Sequence, residues 1–307
     1  MPSISIPAPL RNCCLTIGNF DGVHRGHLQI LKALRKLAEQ LHAPAVAATF
    51  SPHPTTLLRP ESAPPLITSV PERTRLLLAA GVDHVIVLPV TQELLQMSAT
   101  DFFSCILLDQ FSARGVVEGP NFHFGRGREG NTALLRSLCL THGLTFVEVQ
   151  PIDDTDGMIS SSRIRELLAA GQLRAAISQL GHPLRLEGRV VTGAQRGRTL
   201  GFPTANLAEI DGMLPANGVY AGSCDIDGRQ FPVAACIGPN PTFSEQLQKV
   251  ECHLVGFSGD LYGRALAVDL VAEIRPLRSF SSVQELQRQI QSDIQAVVHT
   301  VPVPKPT

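Results

Sequence analysis

The chain has 307 residues, with 26 basic and 27 acidic side chains and a formal net charge of −1. Its length exceeds the usual size of one domain, so we expect two hydrophobic cores. A balanced charge provides no electrostatic footprint for nucleic acid or an anionic membrane, and tryptophan, which stacks on single-stranded nucleic acid, is absent. We therefore expect small-molecule partners, no nucleic acid and no membrane.

Signals for membrane insertion, export and disulfide formation are also missing. No stretch approaches the ~20 apolar residues that a membrane span needs. The first residues, MPSISIPAPLRNCC, lack a basic segment ahead of an apolar one. The seven cysteines are an odd set without Cys-x-x-Cys spacing, which favours neither a disulfide framework nor a zinc site. These features predict a cytoplasmic protein with reduced thiols.

The first half of the chain alternates short apolar runs with segments of helical spacing. The runs are CCLTIG, AVAATF, HVIVLPV, GVVEG and TFVEV. Such alternation predicts a parallel sheet with helices on its faces. Between residues 27 and 42, leucines recur at helical spacing, which predicts one amphipathic helix that ends before Pro44.

Beyond Gly181 the pattern changes to strands without helices between them. The runs are LRLEGRVVTG, GVYAGSCDI, RQFPVAACIG, VECHLVGF and ALAVDLVAEI, separated by turn residues such as Asp227-Gly228. This pattern predicts an antiparallel sheet or a small barrel. We place the domain boundary between residues 182 and 183. Ser282 and Glu285 have capping-box spacing and precede an apolar face, so we predict a closing helix.

A first candidate site lies in LTIGNFDGVHRGHLQIL, residues 15–31. Gly18 ends the first predicted strand, and the helix is predicted to begin near His27. A helix start presents unpaired N–H groups and partial positive charge, and glycines let a backbone approach phosphates. His24 and His27 would add imidazole donors there. The alternative is a solvated loop histidine followed by a histidine at a helix start.

A second motif competes with this interpretation. GRGREG, residues 125–130, fits Gly-x-Gly-x-x-Gly, and Glu148 follows at about the distance that a dinucleotide fold needs. This would indicate a non-catalytic flavin or NAD carrier. However, NFHF separates the strand from the first glycine, and the loop is highly charged. A lone match of this kind is weak.

The third motif is VTGAQRGRTLGFPTANL, residues 191–207. Its glycines allow a loop to approach phosphates, and Thr204 and Asn206 offer oxygen ligands to a hard cation such as Mg²⁺. A structural turn with a cap is the alternative.

Further segments carry a resemblance to a known family. They are GPNFHFGRGREGN (119–131), ISSSRIRELL (159–168), IGPNPTF (237–243), VECHLVGFSGDLYG (250–263) and SFSSVQELQRQIQSDIQ (279–295). Together with GNFDGVHRGH, which resembles the His-x-Gly-His signature of nucleotidylyltransferases, and GFPTAN, they resemble the prokaryotic bifunctional riboflavin kinase/FAD synthetases. The resemblance covers almost the whole chain.

The resemblance implies a fold and two reactions. The fold is an α/β Rossmann-like nucleotidylyltransferase domain, 1–182, followed by an all-β, six-stranded barrel of the riboflavin kinase type, 183–307, with a C-terminal helix. The reactions are phosphorylation of riboflavin to FMN, then adenylylation of FMN to FAD and pyrophosphate, with ATP as co-substrate and Mg²⁺ as cofactor. One alternative is a kinase alone, with a non-catalytic N-terminal nucleotide-binding module. Assembly into a homo-oligomer stays open.

The resemblance also implies roles for individual residues. The catalytic residues are His24, His27, Arg165 and, as the kinase base, Glu251. The ATP-binding residues are Gly18, Phe20, Gly26, Ser161, Ser162, Gly193, Arg196, Gly197, Gly201 and Pro203. Asn121 is implied at the flavin site, and Thr204 and Asn206 as Mg²⁺ ligands. Three residues depart from the family pattern: His123 stands where Arg is common, Gly256 where Asp or Asn is common, and Cys252 where an aliphatic residue is usual.

Overall fold

The computed structural model describes residues 10–154, 157–193, 196–239 and 248–301. These residues form two compact units, one from Met1–Pro65 with Ser69–Ser160 and one from Leu66–Thr68 with Ser161–Thr307. Each unit has a hydrophobic core of its own, as the chain length predicts. The unit boundary after residue 160 differs from the predicted domain boundary at 182, because residues between Ile164 and Leu180 pack into the core of the second unit. As a division between two activities, the boundary at 182 stays a prediction.

The first unit is built on a parallel sheet. Its described elements are β1 (Cys14–Gly18), α1 (Arg25–Leu41), β2 (Ala45–Ser51), α2 (Pro54–Leu58), a 3-10 turn (Pro60–Ser62), α3 (Val70–Ala79), β3 (His84–Pro89), α4 (Gln92–Gln96), α5 (Ala99–Phe102), a π-helical segment (Phe103–Gln110), β4 (Gly115–Glu118), β5 (His123–Phe124), a 3-10 turn (Arg126–Arg128), β6 (Gly130–Asn131), α6 (Thr132–Thr141), β7 (Thr145–Glu148), β8 (Asp153–Asp154) and β9 (Gly157–Met158). The strand order β3-β2-β1-β4-β7 confirms the predicted α/β architecture.

This strand order determines where a ligand can bind. The chain proceeds from β1 to β2 and β3 on one side, and then returns to place β4 on the other side of β1. Open α/β sheets bind ligands at such a switch point, beyond the carboxyl ends of the strands. The loops that follow β1 and β4 therefore lie at the favoured edge.

Helix α1 starts earlier than the sequence predicts. It begins at Arg25 because the side chain of His24 caps it, accepting the His27 backbone N–H at 3.4 Å. It ends at Leu41, and His42 follows in the left-handed conformation. The predicted apolar stripe is confirmed, since its central leucines, Leu31, Leu34 and Leu37, are buried.

The second unit contains a closed antiparallel barrel. Its described elements are α7 (Ser161–Ala169), α8 (Leu173–Leu180), β10 (Leu184–Val191), α9 (Arg196–Thr199), β11 (Ala205–Ala208), β12 (Gly218–Ile226), β13 (Arg229–Gly238), β14 (Lys249–Leu254), β15 (Ala265–Pro276) and α10 (Val283–Thr300). The barrel order is β10-β11-β14-β13-β12-β15, which confirms the six-stranded barrel. Asp227 and Gly228 join β12 to β13 with φ angles of 53° and 82°, typical of a type I′ hairpin turn.

The closing helix is also confirmed. The Ser282 hydroxyl accepts the Glu285 N–H at 3.2 Å, as the capping-box spacing predicts. Val297 is fully buried against Ala221 of β12 and Ala272 of β15. Helix α10 therefore lies on the outer wall of the barrel.

Candidate active sites

The loop between β1 and α1 brings the two predicted histidines into contact. The rings of His24 and His27 stack with centroids 3.6 Å apart and an angle of 18° between their planes. Because Nδ1 of His24 accepts an N–H, the neutral ring carries its proton on Nε2. The pair lies at the start of a 17-residue helix, where unpaired N–H groups and the helix dipole favour an anion.

The environment of His27 keeps it neutral. Burial lowers its pKa well below the usual value, and the charges of His24 and Arg73 lower it further. At neutral pH the ring of His27 is therefore uncharged, and it can interact through hydrogen bonds but not as a cation. Its Nδ1 and the Oδ1 of Asn19 are buried without a hydrogen-bond partner in the part of the chain that the structure describes. Two such atoms in one loop are typical of a site that a polar ligand completes.

Two glycines at the ends of this loop, Gly18 of β1 and Gly26 of α1, make room for the side chains of Phe20 and His24. A Cβ on Gly26 would lie 3.1 Å from the His24 ring, and one on Gly18 would lie 3.3 Å from the Phe20 ring. Phe20 is buried, and its ring meets that of His27 edge-on at 5.2 Å. These glycines thus hold the aromatic groups in place, whether or not they also contact ATP.

A buried ion pair lies beside the histidines, and sequence reasoning missed it. Arg73 of α3 and Asp21 of the loop are 1% and 2% exposed, with Nη2 and Oδ1 3.6 Å apart. Arg73 also donates to the Thr49 hydroxyl and the Phe50 carbonyl oxygen. No local pattern links α3 to the loop, so only the fold brings these charges together.

Glu118 is a second buried group that the sequence did not single out. It ends β4, is 3% exposed and accepts the Ile17 backbone N–H at 2.7 Å. Burial raises its pKa well above the usual value, although the bonds from Ile17 and Thr16 oppose the rise. The carboxyl group thereby ties the end of β1 to the end of β4.

An aromatic cavity of about 550 Å³ lies in the first unit. Its wall includes four phenylalanines and three polar residues: Phe50, Phe102, Phe122, Phe124, Arg59, His123 and Arg128. The rings of Phe122 and Phe124 stack at 5.5 Å. The phenylalanines are scattered in sequence, which is why no pattern indicated the cavity. Its size and apolar wall suit a flat heteroaromatic ligand.

Asn121 directly precedes this aromatic wall. It is exposed, and its amide nitrogen lies 3.7 Å from the sulfur of Met158. Nδ1 of the neighbouring His123 lies 2.9 Å from the Asn121 carbonyl oxygen and 3.2 Å from Nη2 of Arg128. The predicted flavin contact of Asn121 stays a prediction.

The dinucleotide interpretation of GRGREG is wrong, because the loop serves packing. A Cβ on Gly125, where φ is 76°, would lie 2.6 Å from the Ala99 nitrogen. Glu129 accepts the Ala99 N–H at 2.7 Å, and the loop lies between the paired strands β5 and β6. Glu148, the expected ribose acceptor, instead pairs with Arg136 at 3.1 Å.

In the barrel, strand register aligns the predicted kinase residues. Asn206 of β11 stands opposite Glu251 of β14, and Glu251 stands opposite Cys236 of β13. All three are half-buried between buried neighbours, so they share the outer face of the barrel. Directly opposite residues have Cβ atoms about 5 Å apart. The motif was interpreted as a loop, but its Ala205 and Asn206 begin a strand.

The segment before β11 (residues 196–204), which we call the kinase loop, and Gly193 ahead of it lie close to the side chains of Thr204 and Asn206. A Cβ on Gly193 would overlap the Asn206 amide, and one on Gly197 would lie 3.1 Å from the Thr204 hydroxyl. Gly201 has φ 87° and open space around it, as a turn requires. Gly193 therefore leaves room for the Asn206 amide, and Gly197 leaves room mainly for the Phe202 carbonyl oxygen, which a Cβ there would overlap.

A cavity beside Glu251 lies between the barrel wall and α10. Apolar side chains from both sides line most of it: Val219, Ala234, Leu286, Ile290 and Ile294. Arg275 and Asp293 also line it, and Arg275 donates from Nε and Nη2 to Asp293 at 3.0 and 2.8 Å. This ion pair joins the end of β15 to the middle of α10 and so fixes one wall of the cavity.

A second cavity, of about 510 Å³, lies on the other side of Thr204. Arg198, Pro203, Phe257 and Tyr262 contribute to its wall. Thr204 lines both cavities, so a group bound to its side chain could contact a ligand in either cavity. The barrel thus offers two adjoining binding spaces.

Comparisons with known proteins agree with this geometry. A family model described as FAD synthetase matches residues 6–163, and one described as riboflavin kinase matches residues 180–301. The bifunctional riboflavin kinase/FMN adenylyltransferase of Escherichia coli strain K12 is 37% identical over 287 residues, which cover 93% of this chain and 92% of that protein. The chain belongs to the bifunctional riboflavin kinase/FAD synthetase family.

Other members and one solved structure extend the comparison. The Pseudomonas fluorescens bifunctional riboflavin kinase/FMN adenylyltransferase is 38% identical and covers 93% of this chain, which in turn covers 92% of it. A Streptococcus pneumoniae crystal structure, described as a macrolide-efflux protein, is 30% identical with a TM-score of 0.83, covering 93% of this chain and 94% of its own. In the described part of this chain, no helix has the length and apolar character to cross a bilayer.

Three predicted site residues of the adenylylation reaction lie on one helix, α7. Ser161, Ser162 and Arg165 lie in the first turns of α7, which belongs to the second unit, and their role beside His24 stays a prediction. The side chain of Arg196 and residues 240–243 of the IGPNPTF segment lie outside the described residues.

The departures from the family pattern have simple local explanations in two cases. Gly256 has φ 78°, a conformation that glycine, asparagine and aspartate adopt most readily, and a Cβ there would meet nothing within 4 Å. Cys252 is a fully buried core residue, and burial keeps its thiol protonated by raising its pKa above the usual range.

Proposed function

We propose that this chain phosphorylates riboflavin with ATP in its barrel and adenylylates FMN with a second ATP in its α/β unit. Family membership supports both reactions, since each family model matches its own part of the chain. The observation that carries the proposal is the register that sets Asn206 opposite Glu251, beside a cavity closed by α10.

For phosphorylation, the difficulty is that a neutral hydroxyl is a poor nucleophile. We assign Glu251 to accept the proton of the terminal ribityl hydroxyl as its oxygen attacks the γ-phosphorus. The apolar cavity beneath α10 would hold the isoalloxazine ring, and the cavity on the other side of Thr204 would hold the nucleotide. Glu251 and Thr204 line the first cavity together, which suits a transfer between the two ligands.

The chemistry of the donor set fits Mg²⁺. Among the described residues, no three His, Cys, Asp or Glu side chains form a metal cage. Mg²⁺ usually takes few protein ligands together with substrate phosphates, and hydroxyl and amide oxygens are suitable ligands. Thr204 and Asn206 would hold the ion, which would neutralise phosphate charge during transfer.

Adenylyl transfer requires no nucleophile from the enzyme, because the attacking phosphate of FMN is already ionised. The protein must align two anions and stabilise charge as pyrophosphate leaves. We assign Nε2–H of His24, the neutral ring of His27 and the start of α1 to the phosphates of ATP. Ser161, Ser162 and Arg165 are proposed as a second anion-binding group.

The aromatic cavity is our candidate for the FMN ring. Its stacked Phe122 and Phe124 provide a flat apolar wall, and Arg59 and Arg128 provide positive charge at its edge. Asn121 would contact the flavin from the neighbouring position. Cytoplasmic location and a homo-oligomeric state stay predictions.

Incubation with riboflavin, ATP and Mg²⁺, followed by chromatography of the flavins over time, tests the proposal. We expect FMN to appear first and FAD to follow. FMN that never becomes FAD would leave a kinase alone. Unchanged riboflavin would refute the kinase activity, and with it both the bifunctional proposal and the kinase-alone alternative. Omission of Mg²⁺ should stop both steps.

A further inference from the structure

The imidazole of His253 joins the strand of Glu251 to the kinase loop. Its Nδ1 lies 2.8 Å from the carbonyl oxygen of Pro203. Because a carbonyl oxygen can only accept, Nδ1 carries the proton and donates it to Pro203. We propose that His253 is a positioning residue for riboflavin phosphorylation, which fixes the kinase loop against β14. This inference rests on the kinase activity proposed above.

The hydrogen bond between His253 and Pro203 lies just beyond the last backbone pair of β11 and β14. Pairing between β11 and β14 runs from Leu207 opposite Val250 to Ala205 opposite Cys252. It cannot continue in the same way through Pro203, because proline has no N–H. Instead, the imidazole of His253 donates a hydrogen bond to the carbonyl oxygen of Pro203. A side-chain bond thus extends the attachment of β11 to β14 into the kinase loop.

Among the described residues, the kinase loop also makes local backbone contacts and one contact with α10. The Phe202 N–H donates to the Gly197 carbonyl at 2.7 Å, and Gln287 of α10 donates to the Leu200 carbonyl at 3.3 Å. The Phe202 ring also meets His253 edge-on at 6.0 Å. Neither backbone contact reaches β14. The hydrogen bond from His253 does connect the kinase loop to β14, two residues from the proposed base Glu251.

The direction of the side chain supports a role in positioning. On β14, Glu251 and His253 are half-buried and alternate with the buried residues Val250, Cys252 and Leu254. Glu251 and His253 therefore share the outer face, and both line the cavity beneath α10. Thr204 follows Pro203 directly. Loss of the bond should let the Thr204 hydroxyl move relative to Glu251, while the apolar wall of the cavity stays in place.

Two substitutions separate the hydrogen bond from general packing. His253→Ala removes the donor, whereas His253→Asn keeps one, since the asparagine Nδ2 takes the place of the histidine Nδ1. His299→Ala is the matched control, because the Nδ1 of His299 also bonds a backbone carbonyl, that of Gln295, at 2.7 Å, but in the last turn of α10. All variants should convert supplied FMN to FAD at the wild-type rate.

We expect His253→Ala to lower kcat for riboflavin phosphorylation by about 10- to 100-fold, as loss of a group that orients metal ligands does. The Mg²⁺ concentration for half-maximal rate should rise, and the KM for riboflavin should stay within about twofold. His253→Asn should recover most of kcat and of the Mg²⁺ response. A role in packing alone would lower thermal stability, and asparagine would not rescue it.

Nitrogen-15 NMR of the imidazoles tests the bond directly in the full chain. At pH 8 we expect the neutral ring of His253 to carry its proton on Nδ1, and a proton on Nε2 would overturn the proposal. Wild-type kcat and Mg²⁺ response in His253→Ala would also overturn it, as would a His253→Asn enzyme as slow as the alanine variant. If His253→Ala does not fold, the proposal is tested by the kcat and Mg²⁺ response of His253→Asn and by the tautomer of His253. A wild-type enzyme that makes no FMN would refute the kinase proposal itself.

Discussion

Asn206 on β11 stands directly opposite Glu251 on β14, in an antiparallel pair whose neighbours Ala205 and Cys252 point into the barrel. The register therefore sets an amide oxygen and a carboxylate side by side on the outer wall. A shift of one residue would turn one of them into the core. The stability of the barrel and the alignment of the kinase site thus depend on the same strand pairing.

Replacement of the proposed base should separate the two activities. We expect Glu251→Gln to lower the rate of riboflavin phosphorylation by about 10²- to 10⁴-fold, because the amide cannot accept the hydroxyl proton. Conversion of supplied FMN to FAD should be unchanged. Flavin chromatography measures both rates. Glu187→Gln, at an exposed position of β10, is the control. Equal loss of both activities in a folded Glu251→Gln enzyme would contradict the assignment.

A methyl group at Gly193 should disturb the kinase site through Asn206. Because the new Cβ would overlap the Asn206 amide, that side chain must rotate away from its present position. We expect Gly193→Ala to lower kcat for FMN formation at least tenfold and to raise the Mg²⁺ requirement. The control must not strain the backbone. Gly228→Ala would do so, because φ is 82° there, and we therefore use Ala208→Gly as the control. Unchanged Mg²⁺ dependence in Gly193→Ala would remove Asn206 from the ion site.

The stacked histidines should matter for FAD alone. We expect His27→Ala to reduce FAD formation from FMN by at least 10²-fold, since a donor to the phosphates is lost at the step where charge develops. FMN formation from riboflavin should continue. His84→Ala, at an exposed position of β3, is the control. An enzyme with His27→Ala that still made FAD at the wild-type rate would show that His27 is not needed for adenylyl transfer.

Glu118 should make the stability of the α/β unit depend on pH. Its pKa is raised by burial, so the folded state holds a proton that the unfolded state releases above the usual carboxyl pKa. Its contribution to stability is therefore complete at low pH and is lost as pH rises through the folded pKa. In Glu118→Gln the amide oxygen can still accept the Ile17 N–H. We expect Glu118→Gln to raise the free energy of unfolding above that of the wild type, and to raise it more at pH 8 than at pH 5. Urea denaturation at the two pH values measures this difference. A gain independent of pH would contradict the raised pKa.

The ion pair beneath α10 should control riboflavin binding. Asp293 is 5% exposed, and Asp293→Asn leaves the Arg275 guanidinium without its charged partner, a change that costs about 3–5 kcal/mol at buried sites. We expect a lower thermal midpoint and a KM for riboflavin raised about tenfold, since α10 forms one wall of the cavity. Asp227→Asn, in the exposed pair with Arg264, should leave the thermal midpoint nearly unchanged, because solvent screens an exposed ion pair. An unchanged KM for riboflavin would refute the role of this pair in shaping the cavity.

Local patterns were sufficient for most of the strands, for the closing helix and for the two motifs. Apolar runs and helical spacing predicted the strands of the sheet, the barrel strands β10 and β12–β15 and the helix α10, because each pattern reflects which side of an element is buried. The start of α1 was misplaced by two residues, since a histidine side chain caps the helix. Strand β11 was missed because a short strand that begins directly after a glycine- and proline-rich loop has no periodicity of its own.

The amino-acid sequence by itself determined the two-part architecture, and it predicted a phosphate site at the β1–α1 loop and oxygen ligands for a cation in the GFPTAN motif. These properties follow from residue type and short-range spacing. The tertiary structure decided which distant groups meet: Arg73 with Asp21, Glu118 with Ile17, Arg275 with Asp293, and His253 with Pro203. Such contacts depend on strand order and register, and these are set by how whole elements bury their apolar faces against one another.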